Sequence, residues 1–222
     1  MNKVEQVLTG DGCHSLYVPA LDEHYHSTHG AYNEAMHVFI EQGFNATQGN
    51  IAILEIGFGT GLNAWLTAIS AHLGNRKVNY TSLDTFPLCE EITSQLNYAK
   101  FSEIPDASGW LKAVHQCNWE TFEPINDSFK LQKKHLAVQQ LDETNMFDII
   151  YFDAFGPRKQ SEMWETDVFK IMFESLKVGG FLVTYCAQGQ VKRNMKAVGF
   201  EVVPLPGPPG KREMTKAVKR LL

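Results

Sequence analysis

The stretch from Ile51 to Asn63, IAILEIGFGTGLN, leaves a chain few choices of fold. Ile51, Ala52, Ile53, Leu54 and Ile56 form an apolar run interrupted only by Glu55, after which Gly57, Gly59 and Gly61 arrive at alternate positions. That pattern is a buried strand breaking into a tight turn. Leu62, Ala64, Trp65, Leu66, Ala68 and Ile69 then recur with helical spacing, so the turn delivers the chain straight into a helix. Glycine lets a ligand approach the backbone, and free N–H groups at the helix start point at it. The corner is therefore a candidate cofactor site, with close packing of helix on strand as the plainer alternative.

The glycine spacing narrows the cofactor. A dinucleotide fingerprint requires G-x-G-x-x-G, with the pyrophosphate on the helix N-terminus. This chain reads E-I-G-F-G-T-G, which disfavours an NAD-linked oxidoreductase. It resembles the first motif of the Rossmann-like methyltransferases that use S-adenosylmethionine, with Glu55 as the acid of that motif.

Composition sets outer limits. The 222 residues fit one domain with a core that needs no staples, and the 44% hydrophobic and 20% charged content is ordinary. No apolar run reaches the ~18 residues of a membrane span, and MNKVEQVLTGDG lacks a signal-peptide core, so the expected location is cytoplasmic with no membrane partner. Cys13, Cys89, Cys117 and Cys186 are scattered without C-x-x-C pairing and are expected to be reduced packing residues. The net charge is −5, yet Tyr185–Leu222 holds eight basic residues against two acids, or +6, leaving −11 on the remaining 184 residues. A basic C-terminal quarter on an acidic body can form a phosphate-binding face. It can equally be a solvated surface whose charges point in several directions.

Along the chain, Val4, Gln6 and Leu8, then Ser15, Leu16, Tyr17 and Val18, predict a β-hairpin joined through Gly10-Asp11-Gly12. The polar segment with His24, His26 and His29 matches no standard zinc spacing, so no metal is expected and a surface or cofactor-covering loop is. A helix over Ala31–Gln42 completes an N-terminal extension, 1–45, on a Rossmann-like domain, 46–222. Val78–Asp84 predicts a second strand one right-handed βαβ unit after the first, placing Asp84 where a carboxylate accepts ribose hydroxyls. Ile92, Leu96 and Tyr98 suggest a helix, as do Trp110, Leu111, Val114 and Trp119, and Phe129–His135 suggests a third strand. Phe147–Asp153 is a clear strand ending in an acid. Glu162–Ser175 is expected to be a helix capped by Gly179-Gly180, followed by a strand over Phe181–Cys186. Val191–Val198 predicts a helix, and Phe200–Val203 with Glu213–Val218 an antiparallel pair at the edge of a mainly parallel sheet.

FDAFGP, residues 152–157, carries the most chemistry after the glycine corner. Proline and glycine just beyond a buried strand force a sharp turn, holding Asp153 and the Ala154–Phe155 backbone at the sheet edge where a cofactor's reactive end lies. Methyl transfer to nitrogen needs a neutral amine lone pair in line with the S–CH3 bond. A carboxylate there can hydrogen-bond the amine and receive its proton. Asp153 is the best candidate in the chain, against the alternative of a turn-forming Asp bonded to its own backbone.

HYHSTHGAYNEAMHVFIEQG, LEIGFGTGLN, FDAFGPRKQSEMW, GGFLVTYCAQGQVKRNMKAVGF and GKREM together resemble the tRNA 5-aminomethyl-2-thiouridine methyltransferases, over about residues 8 to 218. That family is MnmD when free-standing and the methyltransferase half of bifunctional MnmC when fused to a flavin oxidoreductase. The resemblance implies the free-standing form, acting on the tRNA wobble uridine to turn aminomethyl into methylaminomethyl, and leaves room for a separate enzyme that supplies the substrate. By motif, Gly57, Gly59, Gly61 and Asn63 bind S-adenosylmethionine, Asp84 its ribose, and Asp153 the substrate amine. Tyr25, Ser27 and Glu34 close over the cofactor, while Phe155, Gly156 and Pro157 join Asp153 on the substrate side. Lys159, Lys192, Arg193, Lys211 and Arg212 contact tRNA phosphates. One departure stands in LQKKHLAVQQLD, where relatives tend to carry an acid for the adenine. Asp142 lies late for that role, so either it serves or backbone and apolar contacts do. A small-molecule amine methyltransferase and a non-catalytic cofactor-binding module are the competing readings.

Overall fold

The computed structural model describes residues 3–221, so the outermost residues of the expected segments 1–45 and 46–222, Met1 and Asn2 among them, lie outside it. An eight-stranded sheet carries the architecture. Its strands are β4 (Ile51–Ile56), β5 (Val78–Leu83), β6 (Glu123–Asn126), β7 (Phe129–Lys134), β8 (Phe147–Phe152), β9 (Leu176–Thr184), β10 (Glu201–Pro206) and β11 (Glu213–Val218). They lie in the order β10-β11-β9-β8-β4-β5-β7-β6. The five central strands are parallel, while β11 runs antiparallel to both β9 and β10, and β6 antiparallel to β7. The antiparallel pair is where the loop between its strands put it. The β6 edge strand was hidden by Pro124, a residue that edge strands tolerate because no ladder N–H is needed there.

Period-two alternation divides the core between the two faces of the sheet. Ile53, Tyr80, Leu131, Ile149, Tyr151 and Val183 share one face with α2 (Leu62–Leu73) and α4 (Ala107–Gln116). Leu54, Ile56, Leu83, Ile150, Phe152 and Leu182 face α5 (Thr166–Ser175) and α6 (Gly189–Ala197). Parallel strands buried on both faces explain the near-continuous apolar runs of β4 and β8.

A separate three-stranded antiparallel sheet holds β1 (Glu5–Leu8), β2 (His14–Val18) and β3 (Glu23–His24). The first two form the expected hairpin; β3 comes from the histidine-rich segment that read as a loop. Helix α1 (Ala31–Ala35) widens into a π-helical stretch, Met36–Glu41, and its Ala31, Ala35, Val38 and Phe39 are buried as the spacing indicated.

Two expectations fail. Gly179-Gly180 does not cap α5; that helix ends at Ser175 with Leu176 already extended, and both glycines lie inside β9. There they belong to an irregular insertion in which residues 177–180 stand opposite Asp148 alone, since Phe147 pairs with Leu176 but Ile149 pairs with Phe181, and Gly179 takes φ +84°. The helix suggested by Ile92, Leu96 and Tyr98 is broken into a four-residue α3 (Glu90–Thr93) and a 3-10 turn, Tyr98–Phe101, and Trp119 lies beyond α4.

Candidate active site

Strand order determines what meets at the carboxyl edge. The chain leaves β4 for β5 on one side and reaches β8 on the other, so the crevice beyond β4 is a topological switch point, the usual ligand position in such sheets. The glycine turn follows β4 and FDAFGP follows β8, and a cleft of about 630 Å3 opens between them and the N-terminal segment.

The turn itself is built on positive φ, with Gly57 at +93°, Gly59 at +50° and Gly61 at +72°. A Cβ on Gly57 would stand 2.8 Å from the Asp153 carbonyl oxygen, so glycine here lets the ends of two adjacent strands touch. The Gly59 N–H donates to Asp84 Oδ2 at 2.8 Å, and the Phe86 N–H to Asp84 Oδ1 at 2.7 Å, which fixes this carboxylate beside the turn. Tyr25 lies over Gly59 and meets Phe155 edge to face with ring centroids 5.1 Å apart.

Asp153 stands half-buried in the cleft wall, its N–H donating to the Ile56 carbonyl at 3.0 Å and its Oδ2 accepting from Asn63 Nδ2 at 2.8 Å. Desolvation pushes its pKa up to about 7, against the hydrogen bond from Asn63, which pulls it down. Two aromatic donors hold the following backbone: Tyr185 Oη donates to the Ala154 carbonyl and Trp164 Nε1 to the Phe155 carbonyl, each at 2.8 Å. The loop that carries Asp153 is thus fixed from two sides.

The expected residues do not all reach the cleft. Tyr25, Ser27, Glu34, Gly57, Gly59, Asn63, Asp84, Asp153, Phe155, Gly156 and Lys211 line it. Glu55 and Gly61 do not: Glu55 is fully buried on the α2 face, accepts from Ser82 Oγ at 2.6 Å, and desolvation raises its pKa to about 8. It is a neutral acid beneath the turn at neutral pH. Pro157 and Lys159 lie outside the lining, the latter 3.6 Å from Asp22. Lys192 is paired with Glu213 at 2.6 Å; Arg193 and Arg212 are exposed. Lys211 bonds Glu34 inside the cleft wall, its ammonium 4.1 Å from the Tyr185 ring centroid. Lys192 is brought by its pair with Glu213 from α6 to the β10–β11 loop that carries Lys211 and Arg212, and two of these cations are tied to acids.

Several further lining residues are not named individually from the sequence, although it places two of their segments, the histidine-rich one and LQKKHLAVQQLD, at the cofactor. Leu136, Ala137, Val138 and Gln139 line the cleft past β7, whereas Asp142 is exposed elsewhere. Phe86 offers an exposed ring at the mouth, 76% accessible. Tyr185, just past the end of β9, could be found only by knowing that β9 ends at this edge. His26 lines the cleft between Ser15 Oγ at 3.0 Å and Thr60 Oγ1 at 3.4 Å, and desolvation lowers its pKa to about 4, so it is neutral. Among the described residues, no cluster of His, Cys, Asp and Glu is arranged to hold a metal ion, and no helix is long and apolar enough to cross a membrane.

The sequence profile of the S-adenosyl-L-methionine-dependent methyltransferase family matches residues 106–220. The chain belongs to that family. S-adenosylmethionine is accordingly its cofactor, and the cleft fits it: the Gly57 and Gly59 backbone on its lining, a fixed carboxylate at Asp84, and an Asn63 Oδ1 that is buried without a hydrogen-bond partner. The tRNA 5-methylaminomethyl-2-thiouridine biosynthesis bifunctional protein MnmC of Cupriavidus metallidurans is 30% identical over 231 residues, covering 98% of this chain and 34% of that protein. The protein of the same name from Actinobacillus pleuropneumoniae is 31% identical over 214 residues, covering 87% and 32%. The chain spans about a third of the length of these curated relatives. MNMC2 from Aquifex aeolicus shares the fold, with a TM-score of 0.78 at 22% identity over all of this chain and 73% of that one. The 1,6-didemethyltoxoflavin-N1-methyltransferase of Burkholderia thailandensis, solved with S-adenosylhomocysteine, is similar at a TM-score of 0.50 and 14% identity, covering 85% and 77%.

Proposed function

We propose that this protein transfers a methyl group from S-adenosylmethionine to the amine of 5-aminomethyl(-2-thio)uridine at the tRNA wobble position, in the cytoplasm. Similarity to the MnmC proteins along 98% of the chain supports the acceptor, and it does not favour an NAD-linked oxidoreductase. The observation that carries the chemistry is Asp153, a desolvated carboxyl at the switch point, one strand across from the glycine cradle.

The cofactor supplies an electrophilic methyl group on a sulfonium centre. In this reading Gly57, Gly59 and Asn63 hold it and Asp84 takes the ribose, while Tyr25 and Phe155 exclude water above. An alkyl amine arrives mostly protonated and must shed a proton before its lone pair can react. Asp153 as carboxylate accepts that proton or the amine's N–H, and a pKa near 7 suits the exchange at neutral pH. Asn63 holds the carboxylate in one rotamer. Tyr185 and Trp164 hold the Ala154–Phe155 backbone so that the amine meets Asp153 in a fixed line. Glu55 supports the turn from beneath as a neutral acid. Lys159, Arg193 and Arg212 approach tRNA phosphates from the rim, with Lys192 restrained by Glu213.

Incubation with methyl-labelled S-adenosylmethionine and tRNA carrying unmethylated aminomethyl uridine tests the reading. Label recovered as methylaminomethyl uridine is the expected result. Label found only in a pool of small-molecule amines would remove tRNA as the acceptor.

A further inference from the structure

Strand β7 carries a cation where its alternation calls for an apolar side chain. Phe129, Leu131 and Lys133 share the face toward α2 and α4, and Lys133 is as buried as its two apolar neighbours, at 1% exposure. Its ammonium donates to the His115 carbonyl at 2.7 Å and stands 5.3 Å from the Phe58 ring centroid and 5.1 Å from that of Trp119. Among the described residues no carboxylate lies within ion-pair distance of it. Two ring faces and one carbonyl offset part of the cost of taking an ammonium out of water, and a full charge buried without a counter-charge remains unfavourable. Burial accordingly holds the Lys133 pKa below the ordinary lysine range.

The ammonium is not sealed in. Together with Phe58, Gly59, Glu90, His115 and Trp119 it lines a second cavity, of about 100 Å3. At about 30 Å3 for each water of the liquid, that is room for roughly three or four non-hydrogen atoms. His115 Nε2 is buried on the same lining without a hydrogen-bond partner, and burial together with the neighbouring Lys133 charge lowers the ring's pKa to about 4, so the imidazole is neutral. With Nε2 protonated it can donate to an anion in the cavity, and so can the ammonium, which has spent one N–H on the His115 carbonyl and has others left. Glu90 stands exposed at the rim, its Oε1 accepting from Gln116 Nε2 at 2.8 Å. We propose that this cavity is a binding site for a small planar oxyanion, the size of formate, bicarbonate or nitrate, which supplies the counter-charge of Lys133 and accepts from Lys133 and His115 together. Nucleotides and phosphate esters are too large for it. Phe58 and Gly59 line both this cavity and the cofactor cleft, so the ion rests against the glycine turn.

The site stands apart from methyl transfer, and testing it needs neither tRNA nor S-adenosylmethionine. Melting temperature is followed while sodium formate replaces sodium gluconate at constant ionic strength, gluconate being too large for the cavity, so that a specific ion shows as a rise in Tm that grows with the logarithm of its concentration. Wild type should show that rise. Lys133→Met, which replaces the ammonium by an apolar chain of similar length, should bind formate at least about tenfold more weakly, the equivalent of one charge-assisted hydrogen bond. Glu90→Gln, an exposed change that removes a like charge from the rim, should bind formate about twofold more tightly. Should Lys133→Met fail to fold, Glu90→Gln decides. A formate curve no different from gluconate overturns the proposal and leaves Lys133 a neutral amine between two rings. Equal formate binding by wild type and Lys133→Met overturns it by placing the ion elsewhere, and so does a Glu90→Gln curve that superposes on wild type. The acceptor reading stands or falls separately, on methyl transfer to tRNA.

Discussion

Glu55 and Asp153 are acids at the ends of adjacent parallel strands, and burial raises the pKa of both, to about 8 and about 7. They differ in what they face. Glu55 sits inside β4 at a position whose side chain points to the α2 face, bonded by Ser82 and closed off from the cleft. Asp153 lies one residue past β8, level with Gly57, and lines the cleft with Asn63 as donor. Two residues along a strand edge thus separate an acid that shapes the site from one that can act in it. A raised pKa alone does not mark chemistry; access to the reacting atoms does.

Substitutions can break that contrast. Asp153→Asn keeps the shape and the bond from Asn63 but removes the proton acceptor, and should lower kcat by about 10²- to 10⁴-fold with S-adenosylhomocysteine affinity within a few-fold of wild type. A comparable loss of cofactor affinity would make Asp153 a structural residue like Glu55. Gly57→Ala adds a Cβ 2.8 Å from the Asp153 carbonyl at φ +93°, and should cost about 1–3 kcal/mol of stability in a denaturant melt and weaken cofactor binding.

Glu55→Gln should leave kcat within a few-fold at pH 7, since it replaces one neutral group with another. Its effect lies in the pH dependence of stability. An acid whose folded pKa is raised contributes stability in full below its unfolded value, near 4.5, and loses it as pH rises through about 8. Wild type should therefore lose Tm between about pH 5 and 8 more steeply than Glu55→Gln, and parallel curves would show that Glu55 is charged throughout. Smallest of all, Arg193→Ala or Arg212→Ala should weaken tRNA binding a few-fold at low salt and reduce the salt slope by about one unit. No change at any salt concentration would place the tRNA on another face.

What the sequence made legible follows the same division. The glycine corner, Asp84 and FDAFGP could be read because apolar runs ending in glycine, acid or proline mark the carboxyl edge, and strand order then brings those ends together. Side chains that reach the cleft from elsewhere left no local trace. Lys211 lies in a C-terminal run of cations that read as a phosphate-binding face, and only the placement of the β10–β11 loop against α1 reveals its bond to Glu34. Lys133 obscured β7 for a similar reason. It is 1% exposed, donates to the His115 carbonyl at 2.7 Å and lies about 5 Å from the Phe58 and Trp119 rings, a burial that alternation reads as a polar position. The Gly179-Gly180 pair looked like a helix stop because glycine serves bulges and caps alike, and only the partner strand decides between them.

The most direct test of the central claim is the pH profile of kcat/KM for methyl transfer to tRNA carrying aminomethyl uridine, compared among wild type, Glu55→Gln and Asp153→Asn. The account predicts an ascending limb near pH 7 in wild type, kept by Glu55→Gln and moved in Asp153→Asn to the higher pH at which the free amine itself loses its proton. Profiles of wild type and Asp153→Asn that superpose after scaling would contradict it.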